Sequence, residues 1–144
     1  MDLKIESHKD EILALLDKQI PVALERVGLV AERYAKENCP TDTGRLKNSI
    51  THAVGGNPWS VTEYGGDRKS KYGGKEKPKG HYSGSAPNDT NDEISVYIGT
   101  NVEYAPYVEL GTRGRDPVHF LLHAIENHID EYQKIIEGEL GGTK

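Results

Sequence analysis

The stretch from Gly99 to Ile125, Gly-Thr-Asn-Val-Glu-Tyr-Ala-Pro-Tyr-Val-Glu-Leu-Gly-Thr-Arg-Gly-Arg-Asp-Pro-Val-His-Phe-Leu-Leu-His-Ala-Ile, decides how this chain is read. It predicts the end of a strand, a single helical turn, a sharp loop and the start of the last helix. Pro106 suits the first turn of a short helix, where its missing N–H has no partner to lose. Tyr104, Tyr107, Val108 and Leu110 offer apolar surface around that turn, with Glu109 among them. Gly111 supplies the positive φ that closes a helix. Beyond Arg113-Gly114-Arg115, Asp116 is a good N-cap and Pro117 a good first helical residue. Read alone, these residues describe a compact corner that pins two elements to one core.

Working upstream, Glu93 to Thr100 alternates, with Ile94, Val96 and Ile98 on one face and Ser95 and Tyr97 on the other. That is the pattern of a half-buried strand. Downstream, the last helix is expected from Pro117 to about Glu139. Val118, Leu121, Leu122, Ile125, His128, Ile129, Tyr132 and Ile136 form its apolar face. Near the other terminus, Ser7 with Asp10 three residues on marks a helix start. Ile12, Leu16, Ile20, Ala23, Leu24, Val27, Ala31 and Tyr34 then recur at three- and four-residue steps, one side of a long amphipathic helix. Pro21 cannot donate to the carbonyl of Asp17, so a bend is expected there. Gly28 weakens the second half, and Pro40 ends the helix.

This helix carries a second apolar line. Leu15, Val22 and Leu29 lie seven apart and project roughly 140° away from the main stripe. A helix on the surface of a monomer needs only one such stripe. The extra line is either a set of isolated surface residues or a subunit contact.

Asp42 and Thr43 suit the caps of one short helical turn, and Ser49 to Val54 then suits a strand. From Gly55 to Asp92 regular pattern gives way to Gly, Pro, Ser, Asn and Asp, although Trp59, Val61 and Tyr64 fit a short hairpin strand. Residues 67–82 carry Arg68, Lys69, Lys71, Lys75, Lys77 and Lys79 against only Asp67 and Glu76, on a chain whose formal charge is −5. A long structureless loop inside a small domain is more often functional or disordered than packed. The expected fold is α+β: long N-terminal and C-terminal helices packed on a small antiparallel sheet from 49–54, 58–64 and 93–100, in a single domain spanning 1–144. A flexible loop is expected at 65–92.

Composition excludes several classes. At 144 residues with 35% hydrophobic content, one domain with a thin core is expected, leaving neighbouring subunits to contribute stability. The net negative charge argues against general nucleic-acid affinity of the whole chain. The single Cys39 excludes an internal disulfide and fits a reducing compartment. Asp2, Lys4 and Glu6 stand where a signal peptide needs an apolar run, and no segment reaches the ~20 apolar residues of a membrane span. Synthesis in the cytoplasm follows as the expectation.

Candidate chemistry is sparse. His119, His123, Glu126 and Asp130 share the polar side of the last helix but lack the His-Glu-x-x-His arrangement, so a solvated face is expected and no metal. His128 falls on the apolar side, as a core or interface histidine. No serine–histidine–acid set can be assigned, and the Gly-Gly pairs lack the Gly-Lys-Ser/Thr ending of a phosphate loop. The chain reads as a non-enzyme without cofactor. Lysines at 69–79 interleaved with Tyr64, Tyr72 and Tyr82 suit weak, sequence-blind nucleic-acid contact. The same loop also fits a solvated, self-repelling segment or a contact to an acidic partner protein.

Two stretches carry a resemblance. Tyr104-Ala-Pro-Tyr-Val-Glu-Leu-Gly-Thr112, followed by a proline-started helix containing Phe120 and Leu121, and Cys39-Pro-Thr-Asp-Thr-Gly-Arg-Leu-Lys-Asn-Ser-Ile50 resemble the tail-completion, or tail-to-head joining, family of long-tailed bacteriophages. The resemblance covers most of the chain outside Gly55–Asp92. It implies a virion structural protein of a phage or prophage, assembling as a ring, expected to be a hexamer, on the head-proximal end of the tail. Implied neighbours are the tail tube or tail terminator and the head-completion or connector proteins. The competing class is a small DNA-contacting module that uses the basic Lys/Tyr loop.

Overall fold

The spine of the computed structural model is α1 (Asp2–Asn38), 37 residues long and therefore about 55 Å at 1.5 Å per residue. Residues 2–41, 44–65, 79–88 and 94–141 are described here, with side chains from Lys18 onward. After α1 come α2 (Arg45–Ser49), β1 (Thr51–Val54), β2 (Glu63–Tyr64), β3 (Gly80–His81), β4 (Val96–Gly99), α3 (Ala105–Leu110), α4 (Phe120–Glu126) and α5 (Ile129–Gly141).

α1 starts earlier than Ser7 and stays helical through Pro21. Its inner face is built of small residues: Ala23, Val27, Ala31 and Ala35 are all buried, so neighbours can approach the backbone closely. Gly28 belongs to that face. A Cβ there would lie 2.7 Å from both His52 Cδ2 and Val96 Cγ2, so its missing side chain is what seats the sheet against the helix.

The sheet is smaller than expected. β1 pairs antiparallel with β4 in the register Thr51↔Gly99, His52↔Ile98, Ala53↔Tyr97 and Val54↔Val96. The stretch 58–64 does not join it: β2 pairs instead with β3, Glu63↔His81 and Tyr64↔Gly80. The reason is local. Gly80 leaves room for the Tyr64 ring across the pair, Tyr82 N–H donates to Thr62 O at 2.8 Å, and Pro58 bridges to Ser85. The segment 79–88, inside the stretch expected to be a flexible loop, is tied down. The Tyr82 hydroxyl donates to Ser49 O at 2.5 Å, Asn101 Nδ2 donates to His81 O at 2.9 Å, and Ala86 is buried. The expectation of mobility then falls on 66–78 and 89–93, outside the described residues, as do the proposed caps Asp42 and Thr43. α2 begins instead after Gly44 at φ 89°.

The last helix departs most from expectation. It does not start at Asp116-Pro117 and is not continuous. Thr112 and Arg115 close a tight turn, then Val118 N–H donates to Val108 O (3.0 Å) and His119 N–H to Glu109 O (3.2 Å). These bonds hold 117–119 against the end of α3, so the chain turns helical only at Phe120. A second interruption at Asn127–His128 separates α4 from α5. The buried side is therefore Phe120, Ala124 and Tyr132, whereas Leu122, Ile125 and Ile129 stay 39%, 44% and 48% exposed. Phe120 sits at the centre of a core with Ala35, Cys39, Leu46, Ile50, Tyr64, Val102, Ala105 and Ala124. A second cluster joins Val27 and Ala31 to Tyr132.

Candidate functional site

Three places carry the residues that sequence reasoning singled out, and a fourth was not foreseen. The first is the corner. Pro106 lies in the first turn of α3, and Gly111 closes it at φ 80° with its N–H on Tyr107 O. A Cβ at Gly111 would come within 2.8 Å of Pro117 N and 2.9 Å of Arg115 O, so the tight return of the chain requires glycine there. Tyr104 and Val108 pack against the core, but Tyr107 and Leu110 are 64% and 69% exposed. Glu109 has the most specific role. Its carboxylate accepts from the Leu121 and Leu122 N–H groups, both at 3.0 Å, so a side chain from α3 caps α4 in place of Asp116. His119, at φ 52°, occupies the formal cap position, with Nδ1 3.9 Å from Glu109 Oε1.

The unforeseen place is a buried polar network between α1 and β1. His52 is 2% exposed and lies between two carboxylates, with Nε2 2.7 Å from Glu25 Oε1 and Nδ1 3.2 Å from Glu32 Oε1. Ser60 donates to Glu32 Oε1 at 2.5 Å and accepts from the His52 N–H at 3.0 Å. Thr51 Oγ1 meets Ser60 Oγ at 3.0 Å and accepts from Val61 N–H, while Lys36 stands 3.5 Å from Glu32 Oε2. Burial opposes the charged form of both central groups. Bonds from His52 and Ser60 to Glu32 outweigh it and hold that carboxyl below its usual range. Glu32 and Glu25 in turn hold the imidazole above its usual range. The network brings a serine, a histidine and an acid together, but both ring nitrogens face carboxylates. The serine hydroxyl faces Glu32, so the ring has no nitrogen turned to it as base. Its chemistry is that of a charged clamp. Glu25, Glu32, Ser60 and His52 lie far apart in sequence, and only the helical step from Glu25 to Glu32, two turns on one face, hinted at the arrangement.

The second of the foreseen places is the outer apolar line of α1. Val22 and Leu29 are 51% and 57% exposed; the Leu15 side chain is outside the described set. Leu29 also borders a groove of about 580 Å³ with Arg26, Val30, Lys134, Ile135, Gly138 and Glu139. Arg68, Lys69, Lys71, Lys75 and Lys77 lie outside the described residues, and Lys79, exposed, leads into β3. On the last helix His119 and His123 meet edge to face at 5.7 Å. Among the described residues no group of three or more His, Cys, Asp or Glu is placed to hold a metal ion. His128, in the break between α4 and α5, stacks on Tyr34 of α1 at 3.5 Å and 1°, and the Tyr34 hydroxyl donates to Glu131. Buried Cys39 has its thiol pushed up to about 11 by burial.

A family model described as "Bacteriophage HK97-gp10, putative tail-component" matches residues 3–111, well over half of the chain. The chain belongs to the HK97-gp10-like family. No curated protein and no solved structure gives a significant match. As an HK97-gp10-like protein the chain is a bacteriophage tail component, a structural class, and its place is the virion. No helix among the described residues is long and apolar enough to cross a membrane. The match runs from the start of α1 to Gly111 at the end of α3, so it takes in the corner, the clamp and the exposed line of α1.

Proposed function

We propose that this HK97-gp10-like protein acts at the head–tail junction, as a ring on the head-proximal end of the tail that joins tail to head. It makes and breaks no covalent bond; it works through interfaces with its own copies, with the tail tube or terminator and with the head-completion proteins. The observation that carries the reading is the exposure of Val22 and Leu29 on the outer side of α1 in a tail component. Burying one such side chain contributes about 1.5–3 kcal/mol. Several per subunit sustain a ring once the tail holds neighbouring copies together, although association itself costs at least ~4 kcal/mol of lost freedom. The test is phage assembly with Leu15→Lys and Leu29→Lys combined. The expected result is a folded chain with heads and tails that accumulate unjoined in electron micrographs. Infectious particles in normal yield from that double variant would overturn the proposal.

A further inference from the structure

The corner presents side chains that do nothing for its own packing. Tyr104 and Val108 pack on the core, Glu109 caps α4 and Gly111 closes α3. Tyr107 and Leu110 are left over. They lie three residues apart in α3, hence on one side of it, and are the most exposed large hydrophobic residues among those described. Two arginines follow them. Thr112 N–H donates to Arg115 O at 3.0 Å and Arg115 N–H to Thr112 O at 3.3 Å, so a doubly bonded turn carries Arg113 and Gly114 at its tip. Arg113 and Arg115 are exposed, with Asp116 exposed beside them, and neither arginine is paired with an acid among the described residues.

The backbone that carries these four side chains is fixed from behind. Gly111 runs so close to Arg115 and Pro117 that a Cβ would not fit, and Val118 and His119 bond back to Val108 and Glu109. A platform already held in place loses little freedom when something binds to it. Tyrosine and arginine are also the residue types that most often carry the energy of a protein contact.

We infer that the corner is a docking surface for another protein of the particle, with Tyr107 and Leu110 entering an apolar patch and Arg113 and Arg115 meeting carboxylates at its edge. The two parts of the surface select that occupant. Guanidinium groups pair two-pronged with carboxylates, so the turn calls for acids. Nucleic-acid phosphates also satisfy arginine, but they leave Leu110 wet. A second copy fits poorly for reasons of charge and symmetry. Corner against corner opposes like charges, and so does corner against the α1 line, where Lys18, Arg26 and Arg33 are exposed around Val22 and Leu29. α4, with Glu126, is bonded to the corner of its own chain. A copy brings that acid to the corner only about a two-fold axis, which closes a dimer and not a ring. The corner packs at the Ala35–Cys39 end of α1. At 1.5 Å per residue Ala35 lies about 9 Å beyond Leu29 and about 20 Å beyond Val22, so the corner stays open when the α1 line is covered. The inference deepens the junction reading and rests on it, adding the surface that meets a neighbour other than a copy.

The test is zero-length cross-linking in assembled particles. Arg113→Lys with Arg115→Lys keeps both charges and supplies amines, which a carbodiimide joins as amides to carboxylates in contact with them. Linked peptides are mapped by mass spectrometry beside those of the unsubstituted chain. The expected result is a new link from position 113 or 115 to an aspartate or glutamate of a different protein. Arg113→Glu with Arg115→Glu should lower the infectious yield at least tenfold, and exchanging the mapped acid of the other protein for lysine should restore it. Tyr107→Ser with Leu110→Ser should lower the yield as far, with the melting temperature of the purified chain unchanged. A link to a second copy, or no new link from a chain present in particles, would overturn the inference and spare the tail reading. Loss of yield with the arginine variant alone, the Tyr107 and Leu110 variant being normal, would overturn it in favour of a phosphate backbone. A chain missing from particles altogether sinks the junction reading and the inference with it.

Discussion

His52 is the residue whose neighbours matter most, because the chain buries a charge there between two acids. The sign of its pH dependence follows from the two shifts. The imidazole is held above its ordinary value near 6.5, so its contribution is complete below about pH 6.5 and is lost as pH rises through the folded value. Glu32 is held below its ordinary value, so its contribution is present above about pH 4.5 and is lost as pH falls through the folded value. The clamp is thus strongest between about pH 4.5 and 6.5. Urea denaturation should show His52→Gln losing about 1.5–3 kcal/mol near pH 5.5, the range for hydrogen bonds to a charged group, since Ser60 and Lys36 still face Glu32, and clearly less near pH 9. Equal losses at both would show that the ring acts by packing alone. Gly28 next to it gives a second prediction. Glycine to alanine in a helix normally gains up to about 1 kcal/mol. Here the new Cβ meets His52 and Val96 at 2.7 Å, and overpacking of that kind costs about 1–3 kcal/mol. Gly28→Ala is therefore expected to lower the denaturation midpoint, against the helix-propensity trend.

Among the elements, α4 shows how a neighbour can replace a local signal. Asp116-Pro117 reads as a helix start because those residue types favour it, but two backbone bonds from 118 and 119 to the end of α3 hold the chain extended past that point. Glu109 then supplies the missing acceptors for the Leu121 and Leu122 N–H groups. Glu109→Ala should cost about 1–2 kcal/mol, the usual range for a lost cap. Asp116→Ala, at an exposed position, should stay within about 0.5 kcal/mol. Thermal melts of the two variants side by side decide which residue caps the helix. α1, by contrast, was legible from its periodicity, and the β4 strand from its alternation, because each buries one face against whatever covers it. The pairing of 58–64 was not legible, since its partner at 80–82 lacks any alternation and is chosen by the space Gly80 leaves for the Tyr64 ring.

At the scale of the molecule, the family match stops at Gly111 while the core does not. Phe120 and Ala124 are wholly buried and Tyr132 nearly so, and Tyr132 donates its hydroxyl to Ala124 O beside the second cluster. Truncating one buried phenylalanine costs about 3–5 kcal/mol, against a total stability of about 5–15 kcal/mol for a domain. A fragment ending at Gly111 loses that ring together with the whole of α4 and α5, and leaves Val27 and Ala31 wet. It should be unfolded, with collapsed amide dispersion in its NMR spectrum, while the full chain is folded. A folded fragment would show that the HK97-gp10-like part carries its own core.

What the sequence by itself determined is what depends on near neighbours: the long first helix, the strand before the corner, the proline-started turn of α3 and the glycine that closes it. It also marked Val22 and Leu29 as surplus to a monomer's core, because seven-residue spacing fixes a helical face whatever packs on the other. Tertiary structure alone decided where the last helix begins and hence which side it buries. The bonds that delay it come from α3, and a delay of three residues, from Pro117 to Phe120, changes which side chains face inward. It alone brought His52 between Glu25 and Glu32, since a buried ion cluster draws its members from separate elements and leaves no period along the chain. Local sequence sets the propensity of each segment; the competition for hydrogen bonds and burial between segments sets where each one stops and what it hides.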